Sequence, residues 1–169
     1  MKYEYYKCLE QQYFTDGKVI DSLDENYGKH TIVPITSVKN LLDYIYRNCT
    51  EKNRFPYLIK VDGKLAGFIL VSDYPEVPEE KTDFCLSEFF IMNKYRRKGY
   101  GKEAVFQVLN MHHGKWQLKR HPHNIGSVHF WNNVIAEYTK GNFRLVEKYP
   151  NKEVDYDDGT LADVFFFEN

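Results

Sequence analysis

The stretch EFFIMNKYRRKGYGKEAVFQVL, residues 88 to 109, leaves few folds open to this chain. It runs an apolar, aromatic segment into Arg96, Arg97 and Lys98, sets Gly99 and Gly101 one residue apart, and then resumes helical spacing at Ala104, Val105, Val108 and Leu109. A strand that passes directly into a helix calls for a crossover and a further parallel strand. KWQLKR, at 115 to 120, supplies that strand.

The junction is also chemically specific. The first turn of a helix leaves backbone N–H groups unpaired and carries a partial positive charge, so a loop folding over it can hold phosphate oxygens. Three cations at that end oppose the helix dipole unless an anion is present. Gly99 and Gly101 would let the backbone come close to such an anion.

The rest of the chain fits around this unit. PYLIKVDGKLAGFILVSD reads as a hairpin, with Asp62-Gly63 supplying the positive φ of a tight turn between strands at 57–61 and 65–72. A polar, proline-bearing loop precedes a third strand at 84–93, and a helix is expected over about 100–112. After KWQLKR come a helix at 125–138 and two strands near 143–149 and 161–167. In the N-terminal third, residues 3–14 pattern as an amphipathic helix, and Ser37 can cap another that runs through Val38, Leu41, Leu42 and Ile45. The sum is an α/β fold: a mixed, mostly antiparallel sheet with helices on both faces.

At 169 residues the chain is the size of one domain, which removes about 70% of its extended surface from water on folding. Lys plus Arg (23) nearly balance Asp plus Glu (24), and a net charge of -1 argues against a dedicated duplex-binding protein. Any anion site must be local, and no nucleic-acid partner is expected. No run approaches the roughly 20 apolar residues of a membrane span, so a soluble, cytoplasmic protein without a membrane partner is expected. Cys8, Cys49 and Cys85 are widely spaced and odd in number, and His121 and His123 lack partners at ligand spacing, so neither a disulfide framework nor a metal site is expected.

Three anion-binding motifs compete for the junction. The nucleotide P-loop needs four residues between its glycines and Ser or Thr after the lysine, whereas Glu103 follows Lys102. The dinucleotide fingerprint needs an acidic residue about 20 positions on, and KWQLKRHPHN contains none. YRRKGYGKEA instead resembles the (Arg/Gln)-x-x-Gly-x-(Gly/Ala) signature of the GNAT superfamily of acyl-coenzyme A transferases, with Arg96, Gly99 and Gly101 in its fixed positions. NIGSVHFW downstream is similar to that family's Asn-x-x-(Ala/Ser)-x-x-(Phe/Leu)-(Tyr/Trp) segment, and begins at Asn124. The resemblance covers about residues 55 to 168.

That resemblance implies a single N-acetyltransferase domain over 1–169, with acceptor-side helices and loops in 1–54 and a coenzyme-binding sheet core in 55–169. It implies acetyl-coenzyme A, the co-substrate, in a cleft between the splayed third and fourth strands. The pantetheine arm would pair with the backbone of Phe89, Phe90 and Ile91. The pyrophosphate would lie on the loop and helix start formed by Arg96, Arg97, Lys98, Gly99, Tyr100, Gly101 and Lys102. Asn124 would hold the arm from the other wall, and Trp131, where the family usually has a tyrosine acid, would pack in that wall.

Acetyl transfer to an amine needs a deprotonated nucleophile and a departing thiolate. A lysine-like amine costs roughly 4 kcal/mol to deprotonate at neutral pH, whereas a general acid has only about 2 kcal/mol to recover at a thiol. The base therefore matters more. Glu88, in an apolar strand three residues before Ile91, is the candidate, with His129 second. A strand ion pair is the competing role for Glu88. The expected activity is transfer of acetyl to a primary amine in a ternary complex, by a monomer or homodimer. The alternative is an acyl-coenzyme A binding or sensing module without turnover, to which the absent tyrosine points.

Overall fold

The computed structural model describes residues 53–151 and 156–169. The helices expected at 3–14 and after Ser37 lie outside them. The described elements are β1 (Arg54–Val61), β2 (Lys64–Ser72), β3 (Phe84–Ile91), a single 3-10 turn (Asn93–Tyr95), α1 (Tyr100–Met111), β4 (Lys115–Arg120), α2 (Ile125–Tyr138), β5 (Phe143–Val146) and β6 (Asp163–Glu168). They form one sheet in the order β1-β2-β3-β4-β6-β5, in which β3 and β4 pair in parallel and the other neighbours pair antiparallel. The expected crossover joins the parallel pair.

The hairpin closes as expected, with Asp62 at φ 51 and Gly63 at φ 74. β1 begins three residues earlier than the apolar run alone implies, because Pro56 lies within it opposite Leu70. Proline is tolerated there since, among the described residues, β1 is an edge strand with a neighbour on one side only. The strand expected to 149 stops at Val146, and Lys148 turns the chain at φ 52.

Both described helices cover the same face of the sheet. Val105, Val108 and Leu109 of α1 and Trp131, Val134 and Ile135 of α2 share one buried cluster with Ile69, Leu86, Trp116, Leu118, Phe165 and Phe167. The opposite face is covered at β4 and β6 by loops, through Val77, Tyr149, Ala162 and Val164. Gln117, fully buried on that side, holds the loop after β2: its Oε1 accepts from Val77 N–H at 2.8 Å, and its amide donates to the Val77 carbonyl and to Thr82 Oγ1.

Candidate active site

The site begins where β3 and β4 part. Their ladder consists of Phe84–Trp116, Cys85–Gln117 and Leu86–Leu118, and ends there. β3 continues along β2 to Ile91, while Lys119 and Arg120 continue along β6. A β-bulge drives the divergence: Val71 pairs with Leu86 and Leu70 with Glu88, so Ser87 is an extra residue in β3. Such a bulge bends its strand and adds local twist.

Beyond the bulge, one edge of β3 faces the gap. Met92 donates its N–H to the Ala66 carbonyl at 2.8 Å, and alternation along an antiparallel ladder then turns Phe90 toward β2 and Phe89 and Ile91 away from it. The expectation that Phe90 offers its backbone to a ligand is corrected by this register. Only Phe89 and Ile91 point their N–H and C=O groups into the gap. The Phe90 side chain is buried on the far face, stacked on Phe68 at 5.7 Å.

Arg96 also departs from the expected role. Its Nε donates to the Ile91 carbonyl at 2.8 Å, and its guanidinium lies 5.9 Å from the centre of the Phe90 ring. It therefore fastens the loop to the end of β3. Arg97 and Lys98 remain exposed at the helix start. Lys102 is exposed too, but its ammonium pairs with Glu137 of α2 at 2.9 Å. What Lys102 brings to the helix start is thus its main-chain amide.

The loop takes positive φ at Gly99 (φ 86), the N-cap of α1, and at Arg97 (φ 61), and not at Gly101. Gly101 serves close approach. A Cβ there would lie 3.1 Å from Phe89 Cζ, and 3.4 Å from both Ile91 Cγ1 and Phe130 Cε2. Its absence lets the first turn of α1 settle on β3. The helix ladder starts with Glu103 N–H to the Gly99 carbonyl at 3.1 Å, so the amides of Tyr100, Gly101 and Lys102 precede it, beside the free edge of β3.

α2 forms the other wall. Asn124 is its N-cap, with Oδ1 accepting from Ser127 N–H at 3.1 Å, a use of the side chain that the sequence reading did not anticipate. Phe130 stacks on Phe89 at 5.0 Å and 11°, and Trp131, 5% exposed, meets Phe89 edge-on at 5.2 Å. Trp131 is a packing residue. His129 is exposed on the same helix.

Glu88 lies on the sheet face opposite the helices, exposed and beside the bulge. That face holds residues the sequence reading missed. Lys119 Nζ pairs with Glu76 at 2.8 Å and lies 5.2 Å above the Tyr156 ring, which meets His121 at 4.5 Å. Burial raises the Tyr156 hydroxyl above the ordinary tyrosine range, and the charges of Glu76, Glu88, Asp163 and Asp158 add to it. Tyr156 thus stays protonated near the mouth of the gap. Cys85 is fully buried nearby, and burial pushes its thiol up to about 12, which leaves it inert as a nucleophile.

A separate groove of about 690 Å³ runs between β1 and α1, lined by Tyr57, Ile59, Ala104 and Val108 among others. No residue of β3 or β4 lines it. Among the described residues no helix is long and apolar enough to cross a membrane.

A parallel pair that opens beside a glycine-capped helix start defines a fold, and comparison with known proteins identifies it. The profile of the acetyltransferase (GNAT) family matches residues 20–134. The chain belongs to that family. A search of curated proteins returned no match. Among solved structures, an acetyltransferase from Thermus thermophilus is similar at TM-score 0.59 and 13% identity, covering 79% of this chain and 75% of its own. A chimera of the Vibrio cholerae spermidine N-acetyltransferase with hSSAT gives 0.59 and 15%, covering 89% and 88%. The protein smu.2055 of Streptococcus mutans gives 0.57 and 16%, covering 90% and 92%. At these identities the likeness is one of fold.

Proposed function

We propose that this chain is a single-domain N-acetyltransferase that moves acetyl from acetyl-coenzyme A to a primary amine by direct attack in a ternary complex. The observation that carries the reading is the edge of β3 at the Phe89 backbone and the Ile91 N–H, which has no strand partner among the described residues, next to the amides of Tyr100, Gly101 and Lys102 that precede the ladder of α1. An extended amide-bearing arm fits the strand edge, and a pyrophosphate fits the helix start with Arg97 and Lys98 around it. Phe130 and Trp131 wall the arm from α2, and the Asn124 amide nitrogen, with no partner among the described residues, is a donor at that wall.

When bound, acetyl-coenzyme A supplies an activated acyl group with a good leaving thiolate. Glu88, at the bulge where the strands part, takes the proton from the attacking amine as general base. With tryptophan at position 131, that turn of α2 places no phenol for the departing thiolate, and a thiol's pKa makes one of small value. The acceptor approaches over the face that carries Glu76, Glu88 and Tyr156, where acidic side chains favour a cationic amine.

The test is release of free thiol from acetyl-coenzyme A across a panel of polyamines, lysine peptides and aminoglycosides. Amine-dependent release supports the reading. Tight coenzyme binding with no turnover on any amine would favour a sensing module, to which tryptophan in place of tyrosine at position 131 points.

A further inference from the structure

The structure assigns Arg120 as the residue that holds the β3–β4 gap open and sets its far wall; this rests on the coenzyme reading given above. β4 loses β3 after Leu118, yet Lys119 and Arg120 keep their pairing with Val164 and Asp163 of β6. A strand end with a neighbour on one side has little to fix its angle. The Arg120 guanidinium, only 3% exposed, supplies what is missing. Its Nε and Nη2 donate to Asp163 Oδ2 at 3.2 and 3.1 Å, and its Nη1 donates to the Val128 carbonyl at 3.1 Å and to Asn132 Oδ1 at 2.7 Å. The plane lies 4.9 Å from the centre of the Phe165 ring. Asp163 is held in turn, its Oδ1 accepting from Lys148 N–H at 3.0 Å.

One planar group thus joins β4, β6 and α2 at the point where β4 leaves β3. Val128 and Asn132 are one helical turn apart, so the guanidinium grips one face of α2 and fixes both its height and its rotation. Phe130, Trp131 and Asn124 are carried on that helix. A buried ion pair is weak evidence of net stabilisation, since apolar residues of similar volume often serve as well. What the fork provides that an apolar residue cannot is a directional tie between the sheet and α2, which share no backbone ladder. Arg120 is therefore a positioning residue for the coenzyme wall.

Asn132 offers the gentlest test, because it is exposed apart from this bond and its loss leaves the Arg120–Asp163 pair intact. Coenzyme A affinity is measured by calorimetry for the parent, Asn132→Ala, Asn132→Asp and Arg120→Lys, with thermal midpoints alongside. Asn132→Ala should weaken coenzyme A binding by about tenfold, the scale of one lost charge-assisted hydrogen bond, and raise KM for acetyl-coenzyme A with the acceptor KM unchanged. Asn132→Asp, which can still accept from Nη1, should restore parental affinity, whereas Arg120→Lys should not. Parental affinity in Asn132→Ala, whatever its midpoint, would overturn the assignment. A parent that binds no coenzyme A would overturn the functional reading itself, a result distinguishable from the first.

Discussion

Gly101 shows how one missing side chain can serve a whole site. Its place under Phe89, Ile91 and Phe130 leaves no room for a branched residue, so Gly101→Val should lift the first turn of α1 off β3. The expected result is a loss of about 1–3 kcal/mol of stability from overpacking, together with loss of any midpoint shift on adding coenzyme A. Denaturant unfolding with and without ligand measures both. Full stability with full binding would mean that the helix start does not need to touch the strand. Glu88 and Trp131 make the opposite pair: one exposed and polar, one buried and packed. Glu88→Gln should lower the rate with a lysine-like amine by about 10²-fold or more and remove the corresponding limb of the pH profile. Trp131→Phe should keep most of kcat. Profiles of kcat/KM against pH for both variants decide the assignment, and an inverted pattern would reduce Glu88 to a structural acid.

At the scale of elements, what was legible in the sequence was local. The Asp62-Gly63 hairpin and the strand, glycine loop and helix of 84–111 are written in contiguous residues, and both stand in the structure. The bulge at Ser87 was not legible, because it depends on how β3 is registered against β2. That register also decides that Phe90 turns its backbone away from the gap. The Arg120 network left a trace that went unread: Trp116, Leu118 and Arg120 share one face of β4, while Asp163, Phe165 and Phe167 share one face of β6. A cation and an anion ending two apolar faces mark a buried pair. Gln117, on the other face, ties a loop to the sheet, so Gln117→Leu should strand the Val77 N–H and cost about 1–3 kcal/mol, measurable by urea unfolding. His112, at the end of α1, gives the pH dependence of the same scaffold. Burial lowers its imidazole, whose Nε2 shares a hydrogen bond with the Tyr57 hydroxyl. The unfolded chain therefore binds a proton first as pH falls below about 6.5, and stability, full above that value, declines toward the folded pKa. His112→Phe should flatten this part of the stability curve between the two values. An unchanged slope would show that His112 contributes nothing to it.

For the whole molecule, the near balance of charge makes the proposed anion site a local one, at the junction where Arg97, Lys98 and the amides of Tyr100, Gly101 and Lys102 meet the edge of β3. α1 lies against that edge through Gly101, α2 faces it through Phe130 and Trp131, and Arg120 ties α2 to the sheet. The gap between β3 and β4 is the feature on which the proposed coenzyme binding, catalysis and positioning role all depend. Its most direct test is the thermal midpoint of the chain with coenzyme A, NAD or ATP, each at the same concentration. Coenzyme A at about 100-fold excess over its dissociation constant should stabilise the protein by about 2.7 kcal/mol and raise the midpoint by several degrees, with NAD and ATP leaving it near the unliganded value. A midpoint that coenzyme A does not move, or that NAD raises equally, would contradict the account.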